Sequence, residues 1–406
     1  MALAEVPAVL ILVGLAAYVV FAGADFGAGL WYLLAGPGRR GRAIRDFSYH
    51  AMAPVWEANH VWLIFVLVVA WTAYPTAFGS IASTLALPLF VAAVGIILRG
   101  TAYALRSGAP QDRETEGATG FVFGASSILT PLALGAAVGA IASGRVPVGN
   151  AEGDLVTSWL NATSLLIGAL AVATAGYLAA VYLAGDATRV GEAELARTFR
   201  ARALATGLVA GALAVGGLVV LREDARPLFD DLTSGAGLAA VLLSALAGLA
   251  TLALVRAGRY EPARVSAALA VATIVAGWGI AQSPDLLPGL TIEDAAAGRP
   301  TLWALLISIA AGLVVLVPSL ALLYGLVLRG RFDVGAPATP EPPQPRAARG
   351  ASGLAAAAVA LLVTGVALTL FAEGVGLAIG VLSLVGFIAL GAIELLRPER
   401  LSDDYV

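Results

Sequence analysis

Residues 8–35 read AVLILVGLAAYVVFAGADFGAGLWYLLA, and Asp25 is the only charged residue among these 28 positions. A helix needs about 20 consecutive apolar residues to cross a hydrocarbon core of roughly 30 Å. Runs of this kind recur along the chain, without the apolar and polar alternation of a transmembrane β-barrel. The sequence therefore predicts an all-α fold, a polytopic bundle of transmembrane helices.

The composition excludes several classes of protein. Of the 406 residues, 59% are hydrophobic and 13% are charged, whereas soluble domains carry about 25% charged residues. The chain has no cysteine and only two histidines, His50 and His60. It therefore lacks the ligands for iron–sulfur clusters, thiolate zinc sites, a multi-histidine copper centre or several haems. We predict no metal site on this chain, and the net charge of −3 gives no indication of nucleic-acid binding.

The apolar runs predict a body of about nine helices and a two-helix C-terminal hairpin. We assign residues 1–332 to the body, residues 333–350, which carry five prolines, to a cytoplasmic linker, and residues 351–406 to the hairpin and tail. Residues 282–301 should form an irregular but ordered outer loop. The eleven predicted spans lie near residues 8–35, 54–74, 78–103, 119–143, 158–184, 203–221, 236–255, 264–281, 301–328, 354–371 and 374–395.

The arginines indicate the orientation of the chain in the membrane. The loops after the odd-numbered spans hold nineteen of the 24 arginines, and the opposite loops hold four, while Arg99 falls inside the third span. Cytoplasmic loops carry an excess of basic residues. This pattern predicts a multi-pass protein with its N-terminus outside and its C-terminus in the cytoplasm.

Charged side chains at membrane depth are costly, so each one is a candidate for function. Asp25 could relay protons or support a buried site, or it could simply bond to neighbouring backbone or to Arg99. Arg99 could snorkel towards the cytoplasm, hold the charge of a carboxylate, or meet a cofactor propionate. His50, in a basic loop, is interpreted as a solvated surface histidine.

The stretch Trp56-Glu57-Ala-Asn59-His60-Val-Trp62 is the richest in polar groups. Glu57 and His60 are three residues apart and should share a helix face, with Trp56 stacked one turn below His60. A carboxylate beside an imidazole suits proton transfer. The alternative is a helix start in the interfacial belt, which explains the tryptophans but not the clustering of the polar residues.

In order and spacing, several motifs resemble subunit II of the cytochrome bd-type quinol oxidases, over about residues 8–332. The motifs are Asp25-Phe-Gly-Ala-Gly29, Ala53-Pro54-Val-Trp56-Glu57-Ala-Asn59-His60-Val-Trp62-Leu-Ile64, Tyr74-Pro75-Thr-Ala-Phe78, Leu98-Arg99-Gly100, Gly277-Trp278-Gly-Ile-Ala-Gln282-Ser-Pro284, Leu290-Thr-Ile292 and Asp294-Ala-Ala-Ala297.

This resemblance implies a subunit of a respiratory complex in the bacterial cytoplasmic membrane, with no complete active site of its own. The complex oxidises quinol and reduces O₂ with protons taken from the cytoplasm. Two b-type haems and one d-type haem are expected on a larger partner, subunit I. A small single-span accessory subunit and membrane lipids are further candidate partners, and a quinone or lipid is a candidate ligand of this chain.

The resemblance also implies roles for individual residues. The acid after the tryptophan, Glu57, aligns with an aspartate of some members and would carry protons, together with Asp25 and His60. The residues that would support this path are Trp56, Asn59, Trp62 and Arg99. A purely structural subunit is the first alternative. A secondary transporter is the second, although we find no inverted repeat to support it.

Overall fold

The computed structural model describes residues 2–52, 56–108 and 113–328, with scattered helical positions between residues 357 and 390. Contacts divide the chain into two compact units, Met1–Asp333 and Val334–Val406. The elements of the first unit are α1 (Glu5–Leu33), α2 (Gly38–Met52), α3 (Trp56–Ala73), α4 (Pro75–Thr84), α5 (Ala86–Gly108), α6 (Arg113–Ala142), α7 (Ala162–Arg189), α8 (Ala193–Asp224), α9 (Arg226–Leu232), α10 (Gly235–Arg256), α11 (Tyr260–Gln282), β1 (Asp285–Leu287), β2 (Leu290–Thr291), α12 (Ile292–Ala295) and α13 (Arg299–Leu328).

Within the described ranges, nine helices are long and apolar enough to cross a membrane: α1, α3, α5, α6, α7, α8, α10, α11 and α13. The all-α, multi-pass prediction is therefore confirmed. The linker at 333–350 lies outside the described residues. In the second unit only scattered helical positions are described, so the hairpin and the domain boundaries remain predictions.

The predicted third span, residues 78–103, is in fact two helices that separate at Leu85. The reason lies three residues further on. Pro88 has no N–H to donate to the carbonyl of Thr84, and its ring would clash with that carbonyl in a continuous helix. Helix α4 therefore ends at Thr84, and α5 begins immediately after the break.

Two predicted loops also contain regular structure. The basic loop after the first span contains the amphipathic helix α2, in which Ile44 is buried while Arg39, Arg40 and Arg42 are exposed. The predicted irregular loop at residues 282–301 contains the antiparallel pair β1 and β2 and the short helix α12. Neither was visible as an apolar run, because both are short and polar.

Helix α1 packs against α7 through small side chains. Ala24 and Ala28 of α1 lie in one buried cluster with Ala179 and Ala180 of α7. The approach is closest at Gly27, where a β-carbon would lie 1.9 Å from the carbonyl oxygen of Ala175. Small residues allow the backbones of membrane helices to approach in this way.

We expect Gly27→Ala to lower the stability of the protein by about 1–3 kcal/mol, because the added methyl group must push α1 away from α7. Gly211→Ala is the matched control, since a β-carbon at Gly211 would meet no atom within 4 Å. Alanine also favours helix more than glycine does, by up to about 1 kcal/mol. Thermal unfolding of the purified protein should separate the two variants. Equal melting temperatures would contradict the packing argument.

Polar contacts join the helices at both ends of the bundle. At one end, which we call the arginine-rich end, Arg264 of α11 donates to the carboxylate of Asp186 on α7 at 2.6 Å. At the opposite end, Arg145 contacts Asp224 at 2.5 Å, and this hydrogen bond raises the pKa of Arg145. Tyr74 there donates to the carbonyl of Ala4, and burial raises the pKa of Tyr74 to about 12.

Candidate functional site

Asp25 of α1 and Arg99 of α5 form a buried ion pair within the first unit. Both side chains are almost fully inaccessible to solvent. The Arg99 Nη2 lies 2.7 Å from Oδ1 of Asp25, and Nε lies 3.1 Å from Oδ2. Nη2 also donates to the Asp25 carbonyl oxygen at 2.7 Å. The structure thus places Asp25 in the arrangement given above as the alternative to proton relay, a carboxylate bonded to Arg99.

Further groups complete this pair. Tyr103, one helical turn after Arg99, donates to Oδ1 of Asp25 at 3.0 Å, and Nη1 of Arg99 donates to the hydroxyl of Ser127. The ring of Phe123 lies 4.2 Å from the guanidinium carbon. Each charge therefore has an opposite charge and several hydrogen bonds, the condition under which a buried ion pair is tolerated.

Gly29 gives the guanidinium its space. A β-carbon at this position would lie 2.0 Å from Oγ of Ser127 and 2.6 Å from Nη1 of Arg99. The glycines beside Asp25 therefore allow α1, α5 and α6 to meet around one charge pair. No cofactor group is needed to explain the position of Arg99.

Helix α3 places Trp56 against this ion-pair cluster. The indole stacks on the ring of Tyr103, with centroids 5.1 Å apart and an angle of 13° between the planes. It meets His60 at 6.1 Å and 76°. The predicted stacking of Trp56 below His60 is therefore an edge contact, because the face of the indole is already covered by Tyr103.

His60 lies between α3 and α1. Its Nδ1 is 2.8 Å from the carbonyl oxygen of Trp56, so Nδ1 carries a proton and Nε2 is the nitrogen left for another partner. That Nε2 is buried and has no partner among the described residues. The ring contacts those of Tyr18 and Phe26 at 6.1 and 6.2 Å.

Two more polar atoms on α1 and α3 are buried without a partner in the described part of the chain. They are the hydroxyl of Tyr18, a residue 5% exposed, and the Nε1 of Trp62. The Trp62 side chain packs against a buried cluster that contains Tyr18 and Phe26. Buried polar groups are normally hydrogen-bonded, to protein or to ordered water. We call His60, Tyr18 and Trp62 the unpaired polar cluster.

Glu57 and His60 are not brought together. Glu57 is exposed and makes no hydrogen bond or ion pair with any residue that the structure describes, whereas His60 is half-buried against α1. Residues three apart on a helix differ by about 60° around its axis. Helix α1 covers one side of this face and leaves the other open. Asn59 is buried and donates from Nδ2 to the carbonyl of Phe21 at 3.3 Å, which joins α3 to α1.

Three residues of this region were missed by the sequence analysis: Tyr18, Tyr103 and Ser127. Two of them follow helical spacing from charged residues. Tyr103 is four residues after Arg99, and Tyr18 is seven residues before Asp25 on the same face of α1. Ser127 had no such signal, because it lies on a different helix. Residues 53–55 of the quoted motif lie outside the described residues.

The described ranges contain no group of three or more histidine, cysteine or acidic side chains that could hold a metal ion. His50 is exposed on α2, and its Nδ1 bonds to the carbonyl oxygen of Asp46 at 2.8 Å. The geometry instead presents an exposed carboxylate, a half-buried imidazole and a neutralised charge pair around the junction of α1 and α3.

Known proteins match this chain over its body. The family model for cytochrome bd terminal oxidase subunit II matches residues 3–327. A Bacillus subtilis (strain 168) protein described as a cytochrome bd menaquinol oxidase subunit II is 25% identical over 219 residues, which is 53% of this chain and 61% of that relative. The match therefore spans less than two thirds of the relative. A chain of the bd oxidase structure from Geobacillus thermodenitrificans is 26% identical, with a TM-score of 0.63 over 81% of this chain and 99% of that one.

Proposed function

The chain belongs to the cytochrome bd terminal oxidase subunit II family, and on that premise we propose that it is the non-haem subunit of a quinol:O₂ oxidoreductase. Its partner is a haem-bearing subunit I with two b-type haems and a d-type haem. This chain stabilises that partner and contributes a proton path from the cytoplasm. The N-terminus lies outside and the arginine-rich end faces the cytoplasm.

The position of Glu57 carries this proposal. Its exposed face of α3 continues with Val61, Ile64 and Trp71, and the last two are 59% and 66% exposed. A carboxylate on an otherwise apolar, lipid-facing surface is costly. We infer that the partner subunit covers this face and that Glu57 lies at the boundary between the two chains. A carboxylate there can take up a proton from the cytoplasm and pass it to the partner.

The unpaired polar cluster supports a continuation of the path inside this chain. Nε2 of His60 can accept a proton and release it again from the same nitrogen, because Nδ1–H is held by the backbone carbonyl of Trp56. The Tyr18 hydroxyl can accept one proton while it donates its own. Asp25 would then act as a fixed charge, because its carboxylate is held by Arg99, and Trp56, Asn59, Trp62 and Arg99 keep α1 and α3 in place.

Purification tests the assignment itself. An affinity tag on this chain should co-purify a haem-bearing partner. The purified complex should consume oxygen when quinol is added. A colourless preparation that contains this chain alone, from cells that make the whole operon of the oxidase, would favour the secondary transporter instead. A coloured complex whose activity survives loss of Glu57 would favour the purely structural subunit.

Tyr18→Phe should separate a proton role from a structural one. The hydroxyl of Tyr18 has no partner among the described residues, so its removal should leave the melting temperature unchanged or higher. If the hydroxyl relays protons, oxygen consumption should nevertheless fall about threefold or more. Tyr177→Phe, in a buried tyrosine of α7, is the control and should keep full activity. Unchanged activity in Tyr18→Phe would remove this residue from the path.

A further inference from the structure

A cavity of about 640 Å³ lies at the arginine-rich end, between the end of α1, helix α2 and the beginning of α8. We call it the arginine cavity. Its charged lining consists of Arg40, Arg197 and Arg202 with a single acid, Glu194, and Thr198 adds a hydroxyl. The lining therefore has two more positive than negative charges.

The acid does not neutralise the cavity. Glu194 lies 3.6 Å from Arg40, and both side chains are about two-thirds exposed, so the pair is weak. Arg202 forms no ion pair within the described part of the chain. Its guanidinium instead lies over the ring of Trp31 at 4.7 Å and donates to the carbonyl of Leu34 at 3.3 Å. A cation held in place by an aromatic ring and a carbonyl remains open to an anion.

The depth of the cavity indicates the source of that anion. Arg202 directly precedes the apolar part of α8, and Trp31 lies in the last turn of α1. Tryptophan and arginine at the ends of spans mark the level of the lipid headgroups. The amphipathic helix α2, beside the cavity, has the composition of a helix that lies in this interface. A phosphate at this level belongs to a lipid rather than to a soluble molecule.

The surface beyond the cavity suits acyl chains. Along α8, Leu208, Val215 and Val219 are each about two-thirds exposed, so an apolar strip continues from the arginines into the span. Arg40 donates from Nη2 to the hydroxyl of Thr198 at 3.0 Å, which joins two residues of the cavity lining. Guanidinium groups bind phosphate oxygens with paired hydrogen bonds.

We propose that the arginine cavity binds the phosphate headgroup of an anionic phospholipid, with the acyl chains along α8. Basic pockets between membrane helices recognise anionic headgroups in this way. The site is distinct from the Glu57 face and does not depend on the proton path.

The test uses the purified, delipidated complex and its thermal unfolding. Phosphatidylglycerol should raise the melting temperature, because a ligand that binds only the folded protein stabilises it. Phosphatidylcholine with the same acyl chains and inorganic phosphate should not do so. Equal stabilisation by inorganic phosphate, or by phosphatidylcholine, would overturn the proposal.

Variants of the cavity lining test whether the stabilisation by phosphatidylglycerol arises at the arginine cavity. The double variant Arg40→Gln/Arg202→Gln should lose more than half of the shift caused by phosphatidylglycerol. The control, Arg256→Gln/Arg259→Gln, removes the same charge from exposed positions at the same end and should keep the shift. If the first double variant does not assemble, the single variant Arg197→Gln, in an exposed residue of the lining, replaces it and should weaken the shift. A shift that survives in the cavity variants, or an equal loss in the control, would contradict a defined site.

Discussion

Glu57→Gln is expected to lower oxygen consumption by the assembled complex at least about tenfold while the haem absorption spectrum stays unchanged. Glutamine has the same shape as glutamate but cannot carry a proton at neutral pH. General acid–base groups commonly contribute a hundredfold or more to the rates they assist. The measurement is quinol-driven oxygen uptake, normalised to the haem content of the purified complex.

Two further variants make this result specific. Glu57→Asp keeps a carboxylate and should retain most of the activity. Glu261→Gln is the matched control, because Glu261 is also an exposed acid at the second residue of a helix at the arginine-rich end. It should have no effect, which would exclude a general influence on helix ends. Loss of haem in Glu57→Gln would indicate a scaffolding role, and full activity with full haem would refute the proton path.

Arg99→Met is expected to cause the largest loss of stability, about 3–5 kcal/mol. Methionine fills a similar space but leaves the carboxylate of Asp25 buried with no opposite charge, and breaking one side of a buried ion pair costs that much. We expect very little intact protein in the membrane fraction. Quantitative blotting of this chain, together with the haem spectrum of the membranes, measures the effect.

The double variant Asp25→Asn/Arg99→Gln tests the reason for that loss. It removes both charges and keeps polar side chains at both positions, so it should accumulate several-fold better than Arg99→Gln alone. The comparison separates an unpaired charge from lost packing, since both variants have the same residue at position 99. Equal loss in the double and the single variant would show that packing, not charge, dominates.

The membrane spans could be predicted from hydropathy alone, because bilayer thickness sets their length. Helix α2 could not, because only one of its faces is apolar and hydropathy averaged over the segment hides it. The break at Leu85 had a visible cause in Pro88, but a proline inside an apolar run does not always end a helix, since Pro131 and Pro318 lie within α6 and α13. The sequence therefore defines where the chain crosses the membrane better than it defines how each crossing begins.

The site was predicted in its composition and only partly in its geometry. An ion pair between Asp25 and Arg99 could be expected, since each is the only charged residue of its apolar run. Tyr103 lies one turn after Arg99 and could have been inferred from that spacing, whereas Ser127 completes the pair from another helix, which no spacing along one helix predicts. The separation of Glu57 from His60 depends on how α1 lies against α3, and that packing is a tertiary feature.

The charge pair described above also has a consequence for the insertion of the nascent chain into the membrane. Asp25 and Arg99 are 74 residues apart, and at about 5–20 residues per second the ribosome needs roughly 4–15 s to make the intervening chain. During that interval Asp25 lacks the guanidinium of Arg99, and a carboxylate without a counter-ion in hydrocarbon is unfavourable. The insertion machinery must therefore shelter Asp25 until α5 arrives.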